Sequence, residues 1–185
     1  MILLMQDNRE QEILSLLKQG AHTQAFQLLV KEYSRRIYWH VRHMLNDHED
    51  SNDVVQNVFI KIWENLGGFR GDAKLYTWIY RIASNEALNF LQQKKRKLRL
   101  VQEAAEEGGQ QDHQTSPNPD GEVVYARLQN AIQQLPEKQR LVFNLRYFEE
   151  MPYEEMARVT ETSVGALKAS YHHAVKKMEE FLKAD

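Results

Sequence analysis

Between residues 102 and 121 the chain reads QEAAEEGGQQDHQTSPNPDG. It holds a Gly-Gly pair, two prolines and five acids, and almost nothing apolar. Such a stretch buries too little surface to offset the entropy of ordering it. It reads as a linker, and it divides the chain into two helical domains. Roughly 20 residues reach about 65 to 70 Å at full stretch, and the two parts can serve well-separated sites. The expected division is an N-terminal extension at 1–22, a first domain at 23–98, a flexible acidic linker at 99–121 and a second domain at 122–185.

On either side the apolar residues recur at helical spacing, and no alternating run of β-branched residues appears. The chain is expected to be all-α. A short helix spans residues 9–19, with Gly20 as its stop. Thr23 is the expected cap of the next helix, whose stripe is Phe26, Leu29, Tyr33, Ile37, Val41 and Met44 or Leu45, with Arg35, Arg36, Arg42 and His43 elsewhere on its surface. His40 and His43 are spaced as two metal ligands could be, but no third ligand follows, so no metal is expected. Ser51 or Asn52 would cap a third helix with Val55, Val58, Phe59, Ile62, Trp63 and Leu66 inward. Asp53, Gln56, Asn57, Ile60, Lys61 and Glu64 point away from that face. Ile60, apolar among amides and charges, is a candidate docking point.

The richest stretch runs from Phe69 to Arg99, after Gly67-Gly68 break the third helix. Phe69, Arg70, Lys74, Tyr76 and Trp78 lie close together, and Thr77 is the expected helix cap. The new helix carries Ile79, Ile82, Ala83, Ala87, Phe90 and Leu91 as its stripe. Arg81, Ser84, Asn85 and Asn89 lie on or near the opposite side, and the helix runs out into Lys94, Lys95, Arg96, Lys97 and Arg99. Rings beside cations suit single-stranded nucleic acid, because ring faces stack on bases while Lys and Arg track phosphates. Core packing of the aromatics and a merely solvated basic helix end are the competing explanations. Net charge is -2, so nucleic-acid binding has to come from local patches of this kind.

In the second part a helix from Glu122 to Leu135 precedes Pro136, which suits the first position of the next helix. That helix carries Val142, Phe143, Leu145 and Tyr147. A short helix from Tyr153 to Val159, a turn at Thr160–Thr162 and a long helix capped by Ser163 then make a helix-turn-helix pattern. Its turn contains no glycine. Leu167, Tyr171, Ala174, Val175, Met178 and Leu182 form the inward stripe of the long helix. Ser163, Val164, Gly165, Ala166, Lys168, Ala169, Ser170, His172, His173, Lys176 and Lys177 are the candidates for a duplex. Small residues with cations near a helix N-terminus suit entry into a major groove. A plain helical hairpin is the alternative.

Several function classes lose support. The chain has no cysteine, which removes disulfides and thiolate metal sites and suits a reducing cytoplasm. The apolar run Met1–Met5 is too short for a secretory signal or a membrane span. There is no phosphate-binding glycine loop or nucleophile motif, so neither an enzyme nor a cofactor is expected.

The blocks DVVQNVFIKIWENLGGFRGDAKLYTWIYRIASNEALNFL and LPEKQRLVFNLRYFEEMPYEEMARVTETSVGALKASYHHAVKKM, in this order and spacing, resemble the extracytoplasmic-function (group IV) sigma factors of bacterial RNA polymerase. The resemblance covers nearly all of the chain after about residue 20. It implies a cytoplasmic, non-enzymatic initiation subunit, monomeric when free. Its partners would be core RNA polymerase, promoter DNA and an anti-sigma factor. Asp53, Gln56, Asn57, Ile60 and Lys61 would dock on the polymerase. Asn57 stands where relatives usually have Glu, which removes a charge from that dock. Phe69, Arg70, Lys74, Tyr76, Trp78, Arg81 and Asn85 would meet the -10 element, where a non-template base is flipped into a loop pocket. The Ser163 helix would read the -35 element, with VGALKAS where many relatives carry VGTVRSR. Lys168 lacks the bidentate fork of the arginine it replaces, so base preference cannot be carried over. Two rivals stay open on sequence alone: a sigma-mimicking adaptor that binds an anti-sigma partner, and a stand-alone helix-turn-helix regulator.

Overall fold

The computed structural model describes residues 2–104 and 121–183, with side chains from 9–102 and 127–183. Among them are eight helices and no strand. These are α1 (Ile2–Lys18), α2 (His22–Leu45), α3 (His48–Leu66), α4 (Leu75–Ala104), α5 (Gly121–Gln133), α6 (Glu137–Tyr147), α7 (Tyr153–Thr160) and α8 (Val164–Lys183). Most of the acidic segment that divides the sequence lies outside the described residues. Residues 99–104, expected as its start, instead continue α4.

Helix starts differ from expectation at α1, α2, α3 and α4. α1 begins seven residues before the expected helix. α2 starts at His22, and its cap position is Ala21 rather than Thr23, with no side-chain cap. For α3 the cap is Asp47, whose carboxylate accepts from the Asp50 amide at 2.9 Å. Ser51 is therefore buried inside the helix, where its hydroxyl donates to the Asp47 carbonyl. α4 begins at Leu75, and Thr77 lies buried in its first turn. The Leu75 amide donates to the Glu10 carboxylate of α1 at 2.7 Å. A helix N-terminus leaves four amides without internal partners and favours negative charge; here the charge arrives from 65 residues upstream. Glu10→Ala is expected to lower the unfolding free energy by about 0.5 to 2 kcal/mol, the usual weight of a cap, read as a shift in urea midpoint. Ser163 does cap α8, accepting from the Ala166 amide at 3.3 Å.

The stripes bury largely as their spacing predicts. Leu29, Ile37 and Val41 of α2, Val58 and Ile62 of α3, and Ile79, Ala83 and Ala87 of α4 are fully buried. Val54 takes an inward place on α3, while Trp63 is half-exposed at the rim, where its ring meets Phe26. Leu182, expected inward, is also exposed, as is Tyr147 of α6. His43, expected on the surface, is buried and stacks on Phe148 at 3.9 Å. His40 is sealed in the core, with its Nε2 3.0 Å from the Ser84 hydroxyl. Burial pushes its imidazole down to about 3, so it stays neutral. The two histidine rings thus turn to different partners.

The two halves share this core. Leu141, Val142, Leu145, Met151, Met156, Val159 and Leu167 bury in the same cluster as the α2–α4 stripes. A second, smaller cluster centres on Ile132, Leu135, Phe143, Ala174 and Met178. α7 lies along α4, and α5 and α6 pack on α2.

Candidate nucleic-acid interface

Three surfaces collect the residues singled out in the sequence. The first is the outer face of α3. Asp53, Gln56, Asn57, Ile60 and Lys61 are all exposed, with Ile60 at 53%. Asp53, Asn57, Ile60 and Lys61 follow the i, i+3, i+4 geometry that puts side chains on one face. Lys61 is tied to Glu86 of α4 at 2.5 Å. Trp63 stands near Ile60 and adds a second apolar element to a polar surround.

The second surface is the loop before α4 with that helix's first turns. Gly71 has φ 77°, a left-handed conformation that favours glycine, and it bends the chain between Phe69 and Lys74. Phe69 and Trp78 meet at 5.2 Å with tilted rings. The Lys74 ammonium lies 5.7 Å from the centre of the Tyr76 ring. Arg70, Lys74, Arg81 and Asn85 are exposed, whereas Tyr76 and Trp78 are half-buried. Tyr80, a neighbour that could be read as a stacking residue, is wholly buried, and its hydroxyl donates to the Glu149 carboxylate. Burial pushes Tyr80 well above the ordinary tyrosine range. Glu149 is likewise pushed up by its burial, an effect that Tyr80 and Arg36 oppose.

An open cleft of about 1200 Å³ adjoins this loop. Lys74, Tyr76 and Phe69 line one side of it, and Arg35, Arg36 and Trp39 of α2 line another. The α2 residues do not stand out as site residues in the sequence. The available signal is Trp39 at an outward position of an otherwise clean stripe; the ring is 42% exposed.

The third surface is the N-terminal half of α8. Gly165, Ala166, Lys168, Ala169, His172, His173 and Lys176 are exposed, and Val164, Ser170 and Lys177 are half-buried. A Cβ on Gly165 would meet nothing within 4 Å, so the helix tip is bare on this side. Lys168 reaches back over Tyr153 of α7, 5.6 Å from the ring centre. In the turn before α8, Glu161 adopts φ 53° and ψ 37°. The glycine commonly found in such turns is replaced here by a glutamate held in the left-handed region, at a cost of about 1 to 2 kcal/mol. Among the described residues no group of three or more His, Cys, Asp or Glu could hold a metal ion. No described helix is long and apolar enough to cross a membrane.

The sigma-70 region 2 model matches residues 29–97, and the sigma-70 region 4 model matches residues 125–178. The sigma-H factor of Pseudomonas aeruginosa RNA polymerase is 32% identical over 187 residues, spanning 97% of this chain and 96% of its own. The extracytoplasmic-function sigma-E factor of Haemophilus influenzae is 30% identical, spanning 92% and 93%. Among solved structures, the sigma factor RpoE of Bartonella quintana, in complex with the anti-sigma factor NepR, has the same fold. Its TM-score is 0.69 at 19% identity, over 86% of this chain and 98% of that one. Two regions matched in chain order, with full-length relatives on both sides of them, lead to one conclusion: the chain belongs to the extracytoplasmic-function sigma factors of the sigma-70 family.

Proposed function

We propose that this chain is an RNA polymerase initiation subunit. It binds core polymerase, directs it to a class of promoters through their -35 and -10 elements and helps open the strands. The observation that carries this reading is the pair of matched regions, 29–97 and 125–178, spanning both nucleic-acid surfaces in one chain. A stand-alone duplex reader would leave the first region without a task. The chain itself makes and breaks no bond, and it works in the cytoplasm, where polymerase and promoter are.

The division of labour follows the chemistry of each surface. The α3 face, with Ile60 among Asp53, Gln56, Asn57 and Lys61, suits a protein partner better than an acidic polymer. It is the polymerase dock. The loop and α4 start offer ring faces and cations to an unpaired strand. Flipping a base out of a duplex costs a few kcal/mol, and each base–aromatic stack returns about 1 to 3 kcal/mol. The loop therefore tips a balance locally, while polymerase supplies the rest. The bare tip of α8 enters the -35 major groove, with Lys168, Lys176 and Lys177 toward phosphates or base edges. An anti-sigma factor is the natural regulator, as one accompanies the solved Bartonella relative. The free chain is a monomer.

Transcription in vitro with purified core polymerase and a genomic promoter library tests the assignment. Start-site-specific transcripts are expected; their absence from every promoter would overturn it. For α8, replacing Lys176 and Lys177 with alanine is expected to weaken duplex binding without changing sequence choice. The slope of log affinity against log salt should fall by about one for each phosphate no longer neutralised. An unchanged slope would remove both lysines from the interface.

A further inference from the structure

α1 precedes the matched sigma-70 region 2, which begins at residue 29, and the initiation reading gives this helix no task. Its own ending decides where it lies. Gly20 takes φ 75°. The Gly20 amide donates to the Leu17 carbonyl at 3.0 Å, and the Ala21 amide donates to the Leu16 carbonyl at 2.9 Å. Those two bonds are the Schellman ending, which needs a left-handed residue and suits glycine. The chain turns back on itself, and α1 packs on α2. Ile13 is fully buried in the same core as Leu29, Val58 and Ile79, with Leu16 and Leu17 packed against it. Glu10 lies three residues before Ile13, one turn along the same face, and reaches the start of α4.

The loop from 67 to 74 is fastened at its two ends by different helices. At the α3 end, the Gly68 and Phe69 amides donate to the carbonyls of Asn65 at 3.1 Å and Leu66 at 3.2 Å. At the α4 end, the Leu75 amide donates to Glu10 Oε1 of α1 at 2.7 Å. Leu75 is fully buried, and Lys74 and Tyr76 flank it. An amide at a helix start has no partner inside its own helix, and a charged acceptor makes a shorter and stronger bond than a neutral one. The carboxylate therefore holds the first turn of α4 in place against the core. Glu10 and Leu14 line the open cleft beside Phe69, Lys74 and Tyr76. A carboxylate repels a phosphate, so Glu10 acts on a strand through the peptide it holds and not by touching it.

We propose that Glu10 is a positioning residue for recognition of the -10 element. It sets where the 67–74 loop meets α4, and through that junction the placement of Phe69, Lys74, Tyr76 and Trp78. The assignment rests on the reading of the α4 start as the single-strand surface. Side chains that read a ligand have to be held to within about 0.5 Å, and a loop released at one end takes several placements. Base choice at the -10 element then weakens, while α8, in the other half, reads its duplex as before.

The test is transcription by holoenzyme assembled from core polymerase and the full chain, on promoters randomised over the -10 and -35 elements, with the transcripts sequenced. It is run at a temperature where circular dichroism shows every variant folded. The quantity read is the ratio between the most and the least favoured base at each position. Loss of folded chain lowers all transcripts together and leaves that ratio alone, whereas a displaced loop lowers it. Glu10→Ala is expected to lower the ratio about fivefold at the most selective -10 position, the lower end of what one mismatched base costs. Glu10→Gln keeps an oxygen acceptor at the same reach and is expected to keep most of the ratio. Glu10→Asp keeps the charge but falls one methylene short, and should behave like Glu10→Ala. Ratios at the -35 element should not move in any variant. An unchanged -10 ratio in Glu10→Ala would overturn the assignment, as would an equal fall at both elements. So would a ratio that follows charge instead of reach, kept by Glu10→Asp and lost by Glu10→Gln. A flat -10 profile from the unaltered chain would overturn the single-strand reading and this assignment with it, and no transcripts at all would overturn the initiation role.

Discussion

Replacing Arg140 with alanine lowers the unfolding free energy by about 3 kcal/mol or more, because each buried acceptor left without a partner costs about 1 to 3 kcal/mol. Arg140 is 8% exposed at the start of α6. Its Nη1 donates to the Met44 carbonyl at 2.6 Å and to Gln133 Oε1 at 2.6 Å. Its Nη2 donates to the carbonyls of Gln133 at 2.7 Å and Leu135 at 3.2 Å. One guanidinium thus closes the α5–α6 corner and fastens it to the C-terminus of α2. Burial pushes its pKa down, and Glu137 opposes that shift, so truncation also relieves a desolvation cost. The orphaned carbonyls outweigh that relief, since the backbone around them cannot turn to water without opening the corner. For a chain of this size 1 kcal/mol corresponds to about 2 to 4 °C, and the melting temperature should fall by about 6 to 12 °C. Arg140→Lys should recover only part of the loss, because an ammonium lacks the planar fork that reaches carbonyls on two sides. Thermal and urea unfolding followed by circular dichroism decide it. A loss below about 1 kcal/mol, less than one orphaned group costs, would show that water replaces the guanidinium.

That role is hidden in the sequence, where Arg140 stands in an ordinary polar run, EKQR. The helical stripes are readable because burial repeats every three or four residues, and Leu29, Ile37, Val58, Ile62, Ile79 and Ala83 bury as the pattern requires. Local capping is readable where the cap is adjacent, as at Ser163. It is not readable at Leu75, whose amide is held by Glu10, because spacing carries no record of a contact 65 residues away. Thr77 has the right residue type for a cap in its place, but a buried carboxylate from the other half claims its hydroxyl. The burial of His43 escapes the pattern for the same reason. On α2 alone it falls off the stripe, and Phe148 from the second half stacks on its ring. The site residues are readable as chemistry, rings beside cations and a bare helix tip. What the sequence cannot supply is the company they keep. The acids that face Lys74 and Arg81 lie about 80 residues further along the chain, as the sequence spacing itself shows.

Ile60→Asp is expected to cut affinity for core polymerase at least about thirtyfold, the weight of a single hot-spot side chain of about 2 kcal/mol. Burial sets the size of the effect. Ile60 is 53% exposed in a helix whose inner face, Val54, Val58, Ile62 and Leu66, is already complete. Its side chain therefore contributes little to the fold of the free chain. Substitution costs only the helix propensity of Asp, roughly 0.5 kcal/mol. In a complex the balance reverses. The residue sits between Gln56, Asn57 and Lys61 with Trp63 close by, so a partner that covers this face dries a small apolar centre within a polar rim. A carboxylate there gives up its water and gains no counterpart, a cost that adds to the missing apolar packing. Helix content and melting temperature should stay close to those of the unaltered chain. Duplex binding through α8 should not change, since α3 and α8 lie in different halves. Competition for core polymerase against a labelled reference sigma factor measures the first quantity, and circular dichroism and anisotropy measure the others. Unchanged affinity for core polymerase, with the fold intact, would take Ile60 out of the dock and move the search to the neighbouring Trp63.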